Sequence, residues 1–184
     1  MPLRLLILSS LPDSSAVYSF DSLRTDRKAR GLLQAIAASP YHDVVEPTYI
    51  GAVPVSELAR TLSEHRPDIL HLIVHGASDI LAFEDWAGDL VTLAAEQLAR
   101  IVADTASIRL VCLEVCHSRG IAEALARTGR PGLRPFAVGM HFELPSGTGD
   151  RFFARLYQGL FATGRIDLGF ADARRALELD DNRG

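Results

Sequence analysis

Short β-branched or leucine-rich runs alternate along this chain with longer segments of helical period, and that alternation narrows the fold more than any other feature. It predicts a largely parallel sheet covered by helices on both faces. Five runs read as central strands, over residues 4–8, 44–50, 69–74, 109–115 and 136–139, each apolar enough to be buried on both faces. Between them Ala29, Leu32, Leu33, Ile36 and Ala37 keep one helical face, as do Leu58 with Leu62, and Leu93, Leu98 and Ile101 with Val102. Ser56 and Thr92 are the expected N-caps. The last forty residues read as helical. Phe152, Phe153, Leu156, Tyr157, Leu160 and Phe161 form one stripe, and Ala173, Ala176 and Leu177 continue it after a break at Gly164. An aromatic stripe at helical spacing is ordinary core material.

With 184 residues, 48% of them hydrophobic, the chain can bury one core. A single domain over residues 1–179 with a polar tail at 180–184 is expected, without repeat or linker. The 19 basic and 23 acidic residues leave a formal charge of −4, which lacks the footprint of a nucleic-acid binder. No run of eighteen apolar residues occurs, and the one that follows Arg4 is too short for a signal or spanning helix, so no membrane partner and a cytoplasmic location are expected. Cys112 and Cys116, the only cysteines, lie four apart in an apolar run and suit a reducing compartment better than a disulfide framework. Lys28, the only lysine, lacks the preceding glycine of a phosphate-binding P-loop.

Three stretches break the rhythm. Residues 10–21 form a Ser/Pro/Asp loop after the first strand, residues 77–91 read as a β-hairpin inserted after the third, and residues 144–150 read as a glycine-rich loop before the aromatic helix.

In a parallel sheet the reactive positions lie just beyond the carboxyl ends of the strands. The third strand runs out at His75-Gly76 and the fourth at Cys116-His117. If the two strands are neighbours, a spacing of roughly 5 Å brings these exits within side-chain reach. A cysteine–histidine dyad follows, because a thiol of ordinary pKa needs a proton-moving neighbour to act as a nucleophile. Gly76 allows close backbone approach, and its N–H with that of Cys116 forms a candidate oxyanion hole.

The ordered segments resemble the CHAT-domain branch of the caspase-like cysteine proteases, related to metacaspases and separases. Asp68-Ile69-Leu70-His71-Leu72-Ile73-Val74-His75-Gly76 is similar to the family's histidine motif, and Leu110-Val111-Cys112-Leu113-Glu114-Val115-Cys116-His117-Ser118 to its cysteine motif. Val138-Gly139-Met140, the helix after it and Ala171-Asp172-Ala173-Arg174-Arg175-Ala176-Leu177 resemble the closing segment. The opening strand and the helix at 27–38 resemble versions found in bacterial conflict proteins. The resemblance implies a caspase-like three-layer α/β sandwich, His75 as general acid/base and Cys116 as nucleophile in peptide-bond hydrolysis, without a cofactor. It also implies a protein or peptide substrate, and an effector of a bacterial sensing or defence system under an activating regulator or fused sensor segment. The alternative is a catalytically silent signalling or docking module of the same fold.

Other chemistries fit less well. His71 and His75 lack the glutamate of the helical zinc motif and fall in a β-branched run, so no metal is expected. There is no Gly-x-Ser-x-Gly elbow and no Gly-x-Gly-x-x-Gly fingerprint. Cys112, inside the apolar strand, reads as a core thiol and His71 as non-catalytic. Glu114 is unusual, since carboxylates are seldom buried unpaired. Either an internal arginine holds it, or it lines the pocket for a basic substrate side chain, as the acid two residues before the cysteine does in metacaspase-like relatives; Asp13 is the candidate second wall.

Overall fold

The computed structural model describes residues 1–12, 25–77, 79–129, 132, 134–141 and 147–181. Asp13, most of the expected loop over 10–21, part of that over 144–150 and the last three residues of the tail lie outside the described residues. In chain order the elements are β1 (Leu3–Ser9), α1 (Thr25–Ala37), β2 (Val45–Ile50), α2 (Leu58–His65), β3 (Ile69–Ile73), β4 (His75–Ala77), β5 (Ile80–Glu84), β6 (Leu90–Ala94), α3 (Ala95–Ala103), β7 (Leu110–Glu114), α4 (Arg119–Arg127), β8 (Phe136–Val138), α5 (Thr148–Thr163) and α6 (Ile166–Asp181). The expected mainly parallel sheet is present: β2, β1, β3, β7 and β8 lie side by side in that order, every neighbouring pair parallel.

Side chains alternate across these strands, so each strand feeds two cores. Leu70, Leu72, Val111 and Leu113 pack with Leu62 of α2, Leu98 of α3 and Ile121 of α4 on one face. Ile69, Ile73, Leu110 and Cys112 pack with Leu32 of α1, Phe153 and Leu156 of α5 and Ala173 of α6 on the other. Each fully buried leucine, isoleucine or phenylalanine contributes about 1.5–3 kcal/mol, so both helical layers are fastened to the sheet by apolar contact. Among the described residues no helix is long and apolar enough to cross a membrane.

Several local expectations are corrected. β3 ends at Ile73, and His75 opens a new short strand, so the insertion is a three-stranded antiparallel sheet, β4-β5-β6, rather than a hairpin alone. The hairpin within it is β5–β6, where the Asp85 carboxylate accepts the N–H groups of Ala87 and Asp89. Thr92 pairs with Ala82 inside β6 and does not cap a helix, and Leu93 belongs to the same strand. At the start of α3 the Gln97 side chain reaches back to accept the Ala94 N–H, at 3.0 Å, which replaces a hydroxyl cap. Ser56 sits within a short 3-10 turn (Val55–Glu57), and Glu57 takes the N-cap position of α2.

Candidate active site

Register places the two strand exits beside each other. β3 and β7 are adjacent, and Ile73 pairs with Glu114, so two further residues on each chain lead to His75 and Cys116. Val74 and Val115 between them are buried on the opposite face and pin both exits to the core. The segments stay together beyond the ladder: a Cβ added at Gly76 would lie 2.3 Å from Val115 Cγ1, 3.2 Å from the Ile80 carbonyl and 3.3 Å from the Cys116 carbonyl. Only glycine allows this approach. Gly76→Ala is therefore expected to lose about 1–3 kcal/mol of stability, as overpacked positions do. Combining it with Val115→Ala should cost less than the sum of the two, which a denaturant-midpoint cycle measures.

His75 and Cys116 are both half-buried. Burial, reinforced by the Lys28 ammonium, pushes the His75 imidazole below its ordinary value of 6.5, so at neutral pH it is an uncharged base. Lys28 thus lies within electrostatic range of both His75 and Cys116. After Cys116 the chain reverses sharply: His117 takes a left-handed φ of 52°, and α4 begins at Arg119. Ser118 is fully buried in that turn, and its Oγ accepts the Met140 N–H at 2.8 Å, tying the cysteine turn to the exit of β8. The N-terminal turn of α4 thus follows the thiol, where a helix dipole favours negative charge.

Next to these strand exits lies a largely buried polar cluster on the face shared with α1 and α5. Glu114 Oε1 receives the Lys28 Nζ at 2.5 Å, and Lys28 stands 3.7 Å from Asp150 Oδ1 in the first turn of α5. Glu114 Oε2 lies 3.3 Å from His71 Nε2, while His71 Nδ1 lies 2.9 Å from the Tyr157 hydroxyl. An ionised carboxylate only accepts, so the hydrogen on Nε2 points at Glu114. Burial would raise the Glu114 carboxyl, but the His71 hydrogen bond and the charges of His71 and Lys28 outweigh it and hold it at about 2. Burial and the neighbouring Glu114 raise Asp150 above its usual 3.8. Cys112 lies in the same core, its thiol pushed up to about 12 by burial.

The structure therefore brings Gly76, next to His75, against Val115 and the Cys116 carbonyl, and Glu114 ends β7 two residues before Cys116. Glu114 is held internally, as one of the two sequence readings required, although by Lys28 and His71 rather than by an arginine. Asp13 is not described; the second carboxylate near Glu114 is Asp150. Sequence reasoning missed Lys28, Asp150 and the partnership of His71 with Tyr157. Two signals were available: a sole lysine in a chain of arginines, and a histidine within an otherwise apolar strand.

The family model described as "CHAT domain" matches residues 9–183. A search of curated proteins returns no match. Among solved structures the chain is similar to a secreted C11 cysteine protease from Bacteroides thetaiotaomicron, determined in complex with an irreversible peptide inhibitor, at a TM-score of 0.61 and 11% identity. The match covers 93% of this chain and 57% of that one, so this chain spans less than two thirds of the protease's length. At that identity the likeness is one of fold, the caspase-like α/β architecture.

Proposed function

We propose, from the premise that this chain belongs to the CHAT domain family, that it is a cysteine endopeptidase with Cys116 as nucleophile and His75 as general acid/base, cleaving after a basic residue. The observation that carries this reading is the contact of Gly76 with Val115 and Cys116, which keeps the two exits together where the sheet ends. His75, neutral at pH 7, takes the thiol proton of Cys116. The thiolate attacks the scissile carbonyl carbon, a C–S bond forms, and the carbonyl electron pair moves onto oxygen, where the N–H groups of Gly76 and Cys116 receive it. Collapse breaks the C–N bond, and the leaving amine takes the proton from His75. A water molecule then gives a proton to His75 and its oxygen to the thioester, releasing the acid and restoring the thiol.

The carboxylates of Glu114 and Asp150, paired internally by Lys28, support a basic side chain before the scissile bond where that side chain takes the place of the ammonium, with arginine preferred because its fork matches a carboxylate. The substrate is a protein or peptide. The domain serves as a cytoplasmic effector in bacterial sensing or defence, controlled by a regulator or fused segment. Profiling cleavage of a peptide library tests the specificity: arginine should lead, followed by lysine, and Glu114→Gln should flatten the preference. Cleavage after apolar or acidic residues, or an unchanged basic preference in the variant, removes Glu114 from the pocket.

A further inference from the structure

We propose that Lys28 is a specificity-determining residue of this site: its ammonium already pairs the carboxylates of Glu114 and Asp150, so a substrate's basic side chain has to displace it, and Lys28 tempers the preference those carboxylates would otherwise give. The inference rests on reading Cys116 as the nucleophile of an endopeptidase. Glu114 precedes Cys116 by two residues and shares its face of the strand by alternation. Around it two carboxylates share one ammonium, at 2.5 Å from Glu114 and 3.7 Å from Asp150. Side-chain exposure rises from 7% at Glu114 through 19% at Lys28 to 38% at Asp150. Asp150 is therefore the member of the cluster most open to solvent and Glu114 the least. A cation from outside that pairs with Glu114 Oε1 competes with Lys28, which holds that oxygen at 2.5 Å. Gly149 lets α5 pack close against the carboxylate, since a Cβ there would sit 2.9 Å from Glu114 Oε1.

The chemistry of the occupant decides which substrates displace it. Lys28 stands on α1 beside the buried face of Ala29, Leu32 and Ile36, and its four-carbon stem can swing outward while the helix stays packed. An incoming lysine replaces one ammonium by another and gains nothing at the carboxylates. An incoming arginine gains a second charge-assisted hydrogen bond through its planar fork. A neutral side chain cannot pair Glu114 at all and has to leave Lys28 in place.

The test compares wild type with Lys28→Gln, which keeps an N–H donor for Glu114 and so protects folding, and with Lys28→Arg, which strengthens the internal pairing. Two peptide-like electrophiles are used, identical except for arginine or norleucine before the reactive carbonyl, and the rate of Cys116 labelling is followed by intact mass. Lys28→Gln should raise the arginine-to-norleucine rate ratio about tenfold, the scale of one charge-assisted hydrogen bond. Lys28→Arg should lower it. Labelling of Cys116 in all three proteins with an unchanged ratio would leave the endopeptidase reading standing and reduce Lys28 to a structural ion pair. Absence of Cys116 labelling by either probe in all three would remove the endopeptidase reading and this proposal together.

Discussion

Cys116→Ala and His75→Ala should each lower peptide cleavage by about a thousandfold or more while leaving the melting temperature within a few degrees of wild type. The size follows from role: without the thiol no acyl-enzyme forms, and without the imidazole neither the thiol nor the leaving amine exchanges its proton in place. Stability is spared because both side chains are half-buried at strand exits, whereas Val74 and Val115 carry the packing on the other face. The two losses should not add, since the residues act as one unit. Cys112→Ala provides the contrast. That thiol is fully buried between sheet and helices and is held protonated, so its loss should cost about a kilocalorie per mole or two of stability and leave the cleavage chemistry intact. Loss of cleavage in Cys112→Ala with the protein still folded, or its retention in Cys116→Ala, contradicts the assignment.

The largest expected effect on stability is at Lys28. Removing one partner of a buried ion pair leaves the other charge without compensation, and such changes typically cost about 3–5 kcal/mol. Lys28→Met takes the ammonium from Glu114 and leaves it the His71 imidazole at 3.3 Å and the Asp150 side chain, so the loss should fall at or below the lower end of that range. Adding Glu114→Gln should restore most of the loss, because the stranded charge is then gone. The effect also depends on pH. In wild type the Glu114 carboxyl is depressed from 4.5 to about 2, so its stabilising contribution is complete above pH 4.5 and is lost as the pH falls toward 2. In Lys28→Met the carboxyl protonates at a higher pH, so the gap between variant and wild type should narrow in acid. Denaturant midpoints of wild type, single and double variants at pH 7 and pH 4 measure both effects. Equal losses in the single and the double variant would show that Glu114 is not the charge Lys28 compensates.

What the sequence revealed, and what it concealed, divides along the distance between interacting residues. The sheet was legible because β1, β3 and β7 are short, apolar and buried on both faces, and such runs have few other uses. The neighbouring strand exits were legible for a related reason: His75 and Cys116 each follow an apolar run by a fixed offset, so placing β3 beside β7 placed the exits. β4 was not legible, because His75-Gly76-Ala77 is too short to show a period of two. The start of α3 was misplaced because Leu90-Val91-Thr92-Leu93 suits a strand or a helix equally, and the deciding contact is the pairing with β5. The charge on Glu114 was visible as an anomaly, but its partner is 86 residues away on a helix whose own pattern says nothing about β7. Tyr157 lies in the aromatic stripe as expected, yet its hydroxyl serves His71, which periodicity cannot report.

The central claim is the proposal that Cys116, and not Cys112, is the reactive thiol and that His75 activates it. The most direct measurement treats the intact protein with a peptide-like electrophile carrying arginine before the reactive carbonyl and maps the modified residue by mass spectrometry, in wild type and in His75→Ala. The account predicts one adduct, on Cys116, formed far more slowly in His75→Ala. An adduct on Cys112, or labelling of Cys116 at the same rate with and without His75, would contradict it.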